Sequence, residues 1–313
     1  MPELVKEMIT EYANSVFEQP WWMEAVAPGK WKEVFVKDGE EIIARWVFCQ
    51  NNNAIYMPRL TQTAGPWIKK NSSIFKEQAE QEKKCIYELL DQMPRKTSIC
   101  LALDPSLEYF LPFVWRGFHV IPRVSYQIQD LTDLEQVYKG FSKNIRRDIK
   151  VAEKKLHISD EPSVEILMEI MKKTFAEQKR KYPVPKELIE RVLTYSIRYK
   201  AGKMLTALDE ENHVHAAAVF VYDKNTCYYL IGGKDSSYKT SNAPTLLIWE
   251  GIKMASKVSE KFDFEGSMIE GIEGFFKRFG GIPVVYYEIS RLSFWKKILQ
   301  DTKPTIKKFL GYR

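Results

Sequence analysis

Residues 262–281 read FDFEGSMIEGIEGFFKRFGG, and they limit the fold more than any other stretch. Phe262 and Phe264 alternate with Asp263 and Glu265, the pattern of a short strand packed on one face. Gly266 and Ser267 break the alternation. Ile272, Phe275, Phe276 and Phe279 then recur near i, i+3, i+4 and i+7, so a short amphipathic helix follows. Gly280 and Gly281 stop it, because glycine takes positive φ without a Cβ clash. Val284 to Ile289 is the next strand. The unit is strand, tight turn, helix, glycine stop, strand. Asp263 and Glu265 fall where its first strand ends, the edge at which open α/β sheets hold ligands. A structural corner with two solvated acids would show the same pattern.

The same order of elements occurs twice. Trp31 to Val36 and Ile42 to Cys49 are β-rich runs joined at Lys37-Asp38-Gly39-Glu40, where Asp-Gly marks a hairpin. Strand Ala54 to Met57, helix Phe75 to Met93, strand Ser98 to Leu103, helix Pro105 to Trp115 and strand Val124 to Gln129 follow. The second series is strands Lys203 to Leu208, Ala216 to Val221 and Thr226 to Ile231, helix Pro244 to Ser256, strand Phe262 to Phe264, helix Ile272 to Phe279 and strand Val284 to Ile289. Shared order over a similar span predicts a duplicated α/β domain with mixed sheets. The expected division is 1–140 and 141–313, with the last ~20 residues packing back on the first domain. Helices are also expected ahead of the hairpin, at Glu3 to Val16 and Trp21 to Val26, and in the middle of the chain, at Val164 to Lys179 and Lys186 to Tyr199.

The junction Gly140 to Lys155 (GFSKNIRRDIKVAEKK) carries six basic residues, and Ser142 is placed to cap a helix there. Its charges read either as a solvated helix face or as a phosphate-binding rim. Adjacent Arg146 and Arg147 diverge on a helix, so one of them is expected to pack or pair inward. The formal charge of the chain is 47 − 41 = +6, which is compatible with an anionic partner without demanding one. Cys49, Cys85, Cys100 and Cys227 are scattered without a CxxC and read as buried free thiols of a reducing compartment. The four histidines lack metal spacing, so no metal is expected. No signal peptide or apolar run of about 18 residues is evident, and the expected location is cytoplasmic.

Four stretches together resemble the Fem-type branch of the GNAT acyltransferase superfamily, the FemX and FemAB aminoacyltransferases and their acetyltransferase-like relatives. They are Phe17-Glu18-Gln19-Pro20-Trp21-Trp22, the junction Lys143 to Lys150, the segment Gly233 to Glu250 with Tyr238, Asn242 and Pro244, and residues 262–281. The resemblance implies two tandem GNAT-like domains of the armless FemX type. It implies transfer of an acyl or aminoacyl group to an amine. The co-substrate would be an acyl-CoA or an aminoacyl-tRNA, with no tightly bound cofactor. Where GNAT proteins carry a Gly-rich pyrophosphate loop, this chain has Lys234 to Ala243. Glu265 stands where the commoner form has glycine.

That resemblance assigns roles residue by residue. The donor would lie where strands Thr226 to Ile231 and Phe262 to Phe264 diverge. Lys234, Ser236, Tyr238, Lys239, Asn242 and Arg278 would hold it, together with the N-terminus of the Pro244 helix. Asn242 could equally cap that helix. Asp263 or Glu265 would take a proton from the incoming ammonium, and Lys277 would stabilise charge in the transition state. The acceptor, an amine of a nucleotide- or lipid-linked envelope precursor, would meet Arg59, Trp67, Arg146 and Arg147. Trp67 could instead anchor its loop. Partners would include tRNA and peripheral membrane contact. Two other functions stay open: a catalytically silent GNAT-fold binding protein for envelope precursors or RNA, and a small-molecule N-acetyltransferase.

Overall fold

The computed structural model describes residues 8–52, 54–94, 97–266 and 270–292, except for the side chains of 239, 240 and 270–272. The chain forms two compact units. One is built from Lys6–Arg123 and the chain from Tyr286 on, the other from Val124–Val285.

The first unit contains α1 (Pro20–Val26), β1 (Trp31–Asp38), β2 (Glu41–Asn51), β3 (Ala54–Tyr56), β4 (Pro66–Ile68), α2 (Phe75–Gln92), β5 (Ser98–Ala102), α3 (Leu111–Trp115) and the start of β6 (His119–Ile128). Pro20 opens α1, where its missing N–H costs nothing. Asp38 and Glu41 close the β1–β2 hairpin, with Gly39 at φ +60°. The sheet runs β1-β2-β3-β5, and β4 lies against β2. β3 and β5 are parallel, with α2 as their crossover. Trp46, Phe48, Ile86, Leu89, Leu101 and Phe113 are buried in one core.

The second unit contains the end of β6, α4 (Leu134–Gly140), α5 (Lys143–Ala152), β7 (His157–Ser159), α6 (Val164–Glu177), α7 (Lys186–Arg198), β8 (Gly202–Leu208), β9 (Val214–Tyr222), β10 (Thr226–Lys234), α8 (Ala243–Ala255), β11 (Lys261–Asp263), α9 (Glu270–Lys277) and the start of β12 (Ile282–Arg291). Its sheet runs β7-β8-β9-β10-β11-β6. Here too three antiparallel strands are followed by a helix and a parallel strand, β10 to β11 through α8. Phe262, Phe264, Phe276 and Phe279 pack with Leu246, Ile248 and Ile252 of α8 and Ile145 and Ile149 of α5. Full burial of one such ring contributes about 2 kcal/mol or more.

The repeat read from the sequence is therefore present, with one feature that local pattern did not show. The last strand of each series pairs in the unit made mostly from the other series. β6 pairs with β11 (Gln127 opposite Asp263), and β12 pairs with β5 (Glu288 opposite Ala102). The units divide at 123/124 and 285/286, while residues 140 and 141 both lie inside the second. Tyr286 to Leu292 belong with the first unit, and the tail beyond Leu292 is outside the described residues.

Several local expectations are corrected. Pro105 to Phe110 is not helical; Asp104 Oδ1 accepts the Ser106 N–H and hydroxyl, an Asx turn that delays the helix to Leu111. The described part of Glu3 to Val16 has no α-helix; a 3-10 turn at Val16–Glu18 precedes α1. β4, β7 and α4 were not anticipated. Cys100 is exposed on β5, whereas the other three cysteines are buried.

Candidate active site

β10 and β11 run parallel for only three pairs, ending at Tyr228 opposite Asp263. β11 stops there, while β10 continues to Lys234. Glu265 and Gly266 turn the chain away with φ of +56° and +41°. Past this point β10 has no parallel neighbour, and its pairing with β9 is irregular between Tyr229 and Ile231. The sheet edge that the sequence marked as a ligand position thus opens physically.

A cavity of about 530 Å³ occupies the end of β10, within the usual size of small-molecule sites. Tyr229, Gly232, Gly233 and Lys234 line it from β10, Asn242, Pro244 and Thr245 from the start of α8, and Phe275 and Arg278 from α9 and its end. Ile145 and Asp148 of α5 and Thr174 of α6 complete it. Asn242 is left-handed (φ +56°), and its side chain makes no capping hydrogen bond. α8 brings its N-terminal partial positive charge to this wall.

Two contacts shape the floor. A Cβ at Gly232 would stand 1.6 Å from the Tyr229 phenol oxygen, so only glycine lets the ring lie there. Burial pushes the Tyr229 phenol well above its ordinary pKa, and it remains a donor at neutral pH. The Thr174 hydroxyl accepts the Lys234 N–H at 2.8 Å and lies 2.9 Å from the Lys234 carbonyl, doing the work of a missing strand. The Lys234 ammonium lies 4.0 Å from Glu177 Oε2. Arg278 lies over Phe275, 5.6 Å from the ring centre, and donates to the Gly274 carbonyl.

Asp263 is buried and saturated. It accepts from the Ser125 hydroxyl, from Gln127 Nε2 at 2.7 Å and from the Glu265 N–H at 2.6 Å. Glu265 is the opposite case: its carboxyl is buried, and Oε1 has no hydrogen-bond partner among the described residues. Burial, with the Asp263 charge adding to it, holds the Glu265 carboxyl well above the carboxylate range. The two expected catalytic acids are thus neighbours in different surroundings, and neither lines the cavity. Lys277 stands apart with a side chain 70% exposed, its nearest acid being Glu273 at 4.0 Å.

Of the expected donor residues, Lys234, Asn242 and Arg278 come together in the cavity. Ser236 and Tyr238 do not line it. They lie in a 3-10 segment, Ser236–Ser241, which Asp235 opens by accepting the Ser237 N–H. Tyr238 stacks on His215 at 3.8 Å. The Lys239 side chain lies outside the described residues. Arg146 is half-buried and donates to the Lys139 carbonyl at 2.7 Å, while Arg147 is exposed and pairs with Asp148. Arg59 and Trp67 belong to the first unit. Trp67 sits on β4 against Tyr12, the anchoring role left open above. At the β8–β9 turn, Asp209, Glu211 and His213 present potential ligand atoms within 4.8 Å of one another; His213 and His215 both bond Asp209.

Asp148, Thr174, Tyr229 and Gly232 were missed. Asp148 could have been found, since it follows the two arginines and is one turn from Ile145, a buried residue. The others give no local signal. Their roles depend on a strand bulge and on α6 packing against β10.

This geometry matches a known class. Residues 139–269 fit the family model described as acetyltransferase (GNAT) domain. No curated protein sequence matches the chain. Among solved structures, FemX superposes with a TM-score of 0.68 at 10% identity, over 92% of this chain and 95% of that one. L-PGS from Bacillus licheniformis superposes at 0.58 and 11% identity, over 97% and 96%. A tandem GNAT protein from the clavulanic acid biosynthesis pathway superposes at 0.50 and 10% identity, over 86% and 85%. The chain carries a GNAT-type acyltransferase domain. Its fold is the one shared by FemX and the tandem GNAT protein. Among the described residues no helix is long and apolar enough to cross a membrane.

Proposed function

We propose that this protein transfers an acyl or aminoacyl group from a phosphate-bearing donor to an amine, and that the cavity at the end of β10 is the donor site. The observation that carries this is the convergence of Lys234, Arg278, Asn242 and the N-terminus of α8 on one cavity, most of whose lining falls in the GNAT segment 139–269. Two cations and a helix N-terminus suit a phosphate chain. Backbone N–H groups at the irregular part of β10 suit the oxyanion that develops on the reacting carbonyl. Glu265 is the group that moves a proton through water: its carboxyl, protonated at rest, gives its proton to the leaving group, and the carboxylate so formed takes the one the incoming amine releases. Asp263 holds the turn that presents it.

The acceptor is the amine of a cell-envelope precursor. FemX and L-PGS as fold neighbours support that choice, and so does the basic charge of the chain. The donor is an acyl-CoA or an aminoacyl-tRNA, and the setting is the cytoplasm. Thermal-shift titration with coenzyme A, acetyl-CoA and a charged tRNA pool, each alone, tests the reading. A ligand at about 100 times its dissociation constant raises stability by roughly 2.7 kcal/mol. A shift with at least one of the three, lost in Lys234→Ala/Arg278→Ala, is expected. No shift with any of them would refute the donor site.

A further inference from the structure

Asp148 is the one acid lining the cavity among the described residues. Everything else polar there is a cation, an amide, a hydroxyl or a phenol. A carboxylate in this company repels phosphates and a developing oxyanion, so a phosphate-bearing donor with a neutral acyl group gains nothing from it. Its ion partner does not account for it. Arg147 is its sequence neighbour, with a side chain 69% exposed, and exposed pairs of this kind contribute little. Arg147 also uses a single oxygen: Nε at 3.3 Å and Nη2 at 3.1 Å both reach Oδ1. Oδ2 has no hydrogen-bond partner among the described residues. Asp148 sits one turn from Ile145, which is buried in the core, so the helix face that carries it is fixed by packing.

We propose that Asp148 is a specificity-determining residue that binds a protonated amine on the transferred group, so that the cavity prefers aminoacyl donors over simple acyl donors. This rests on the donor-site reading above and decides what that reading leaves open. The ammonium of an aminoacyl ester carries three donors, and Oδ2 supplies a charged acceptor. Lys234, Arg278 and the α8 N-terminus remain free for the phosphates. An acyl group without the amine leaves the carboxylate with no cation of the ligand to offset its repulsion.

The test uses three probes on the full chain by calorimetry: a non-hydrolysable 3′-aminoacylamino-adenosine, its N-acetylated form, and acetyl-CoA. The free-amine probe is expected to bind about tenfold more tightly than its N-acetylated form, the size of one charge-assisted hydrogen bond. Asp148→Asn should abolish that gap, and Arg147→Gln should leave it in place. A gap that is absent, or that survives Asp148→Asn, overturns the proposal. Binding of acetyl-CoA without either adenosine probe overturns it too, while the donor site stands. Failure of all three to bind removes both. Circular dichroism of each variant shows that a lost gap does not reflect a lost fold.

Discussion

The Glu265 N–H donates to the Asp263 carboxylate at 2.6 Å, so one acid holds the backbone turn on which the next acid is presented. The turn puts Glu265 in a left-handed conformation, and Oε1 is left buried without a hydrogen-bond partner among the described residues. A non-glycine residue in that region is strained, and strain of this sort gathers at functional positions. The pair leaves two acids two residues apart in different surroundings, one hydrogen-bonded and one not.

The pH dependence follows from burial. Glu265 is held well above its ordinary pKa, and Glu18 in the first unit is pushed up to about 8, by burial first and then by the Asp104 charge. Both raised carboxyls are protonated in the folded chain where the unfolded chain has already ionised. Stability is therefore full below the unfolded carboxylate range, near pH 4.5, and falls as pH rises through the folded pKa. Urea denaturation from pH 5 to 8 should show this decline. Glu18→Gln and Glu265→Gln should each flatten it. A profile unchanged in both variants contradicts the assignment.

Two glycines give opposite predictions. A Cβ at Gly266 would stand 2.4 Å from the Val124 carbonyl oxygen and 2.5 Å from Ser125 Cα, at φ +41°. Gly266→Ala should cost about 3 kcal/mol or more. A Cβ at Gly274, inside α9, meets nothing within 4 Å. Gly274→Ala should stabilise by about 0.5–1 kcal/mol through helix propensity. Both are read from denaturation midpoints.

The Thr174 hydroxyl is the clamp on Lys234, so Thr174→Val, which keeps the shape, removes it. Stability should drop by about 1–2 kcal/mol, with coenzyme or aminoacyl-probe affinity falling alongside. Lys277→Ala should change neither by more than about 0.5 kcal/mol, because that side chain is largely exposed and has only a distant acid. Equal effects from the two substitutions would mean that the cavity wall is assigned wrongly.

Much of the fold was legible because it is written locally. The Asp38-Gly39 hairpin, the phenylalanine pattern of 262–279 and the Gly280 stop each rest on periodicity or on a positive φ. Lys234, Asn242 and Arg278 were legible as cations and an amide beside a helix start. Tyr229 and Gly232 were not, because a strand bulge makes their contact and nothing in TCYYLIGGK marks a bulge. The pairing of β6 with β11 and of β12 with β5 is a choice among distant strands, and alternation in one strand names no partner. Position alone did not separate Asp263 from Glu265. The donors that hold Asp263 come from β6 and from the turn, both invisible to local pattern.

Hydrogen exchange with and without saturating donor probe tests the central claim most directly, using acetyl-CoA and the 3′-aminoacylamino-adenosine in separate runs. Protection should rise at the amides of Tyr229 to Lys234 and at the start of α8, Ala243 and Thr245 to Leu246, and Lys234→Ala/Arg278→Ala should remove it. Binding with protection confined to other segments, or with those amides unchanged, would contradict the placement of the donor at the end of β10.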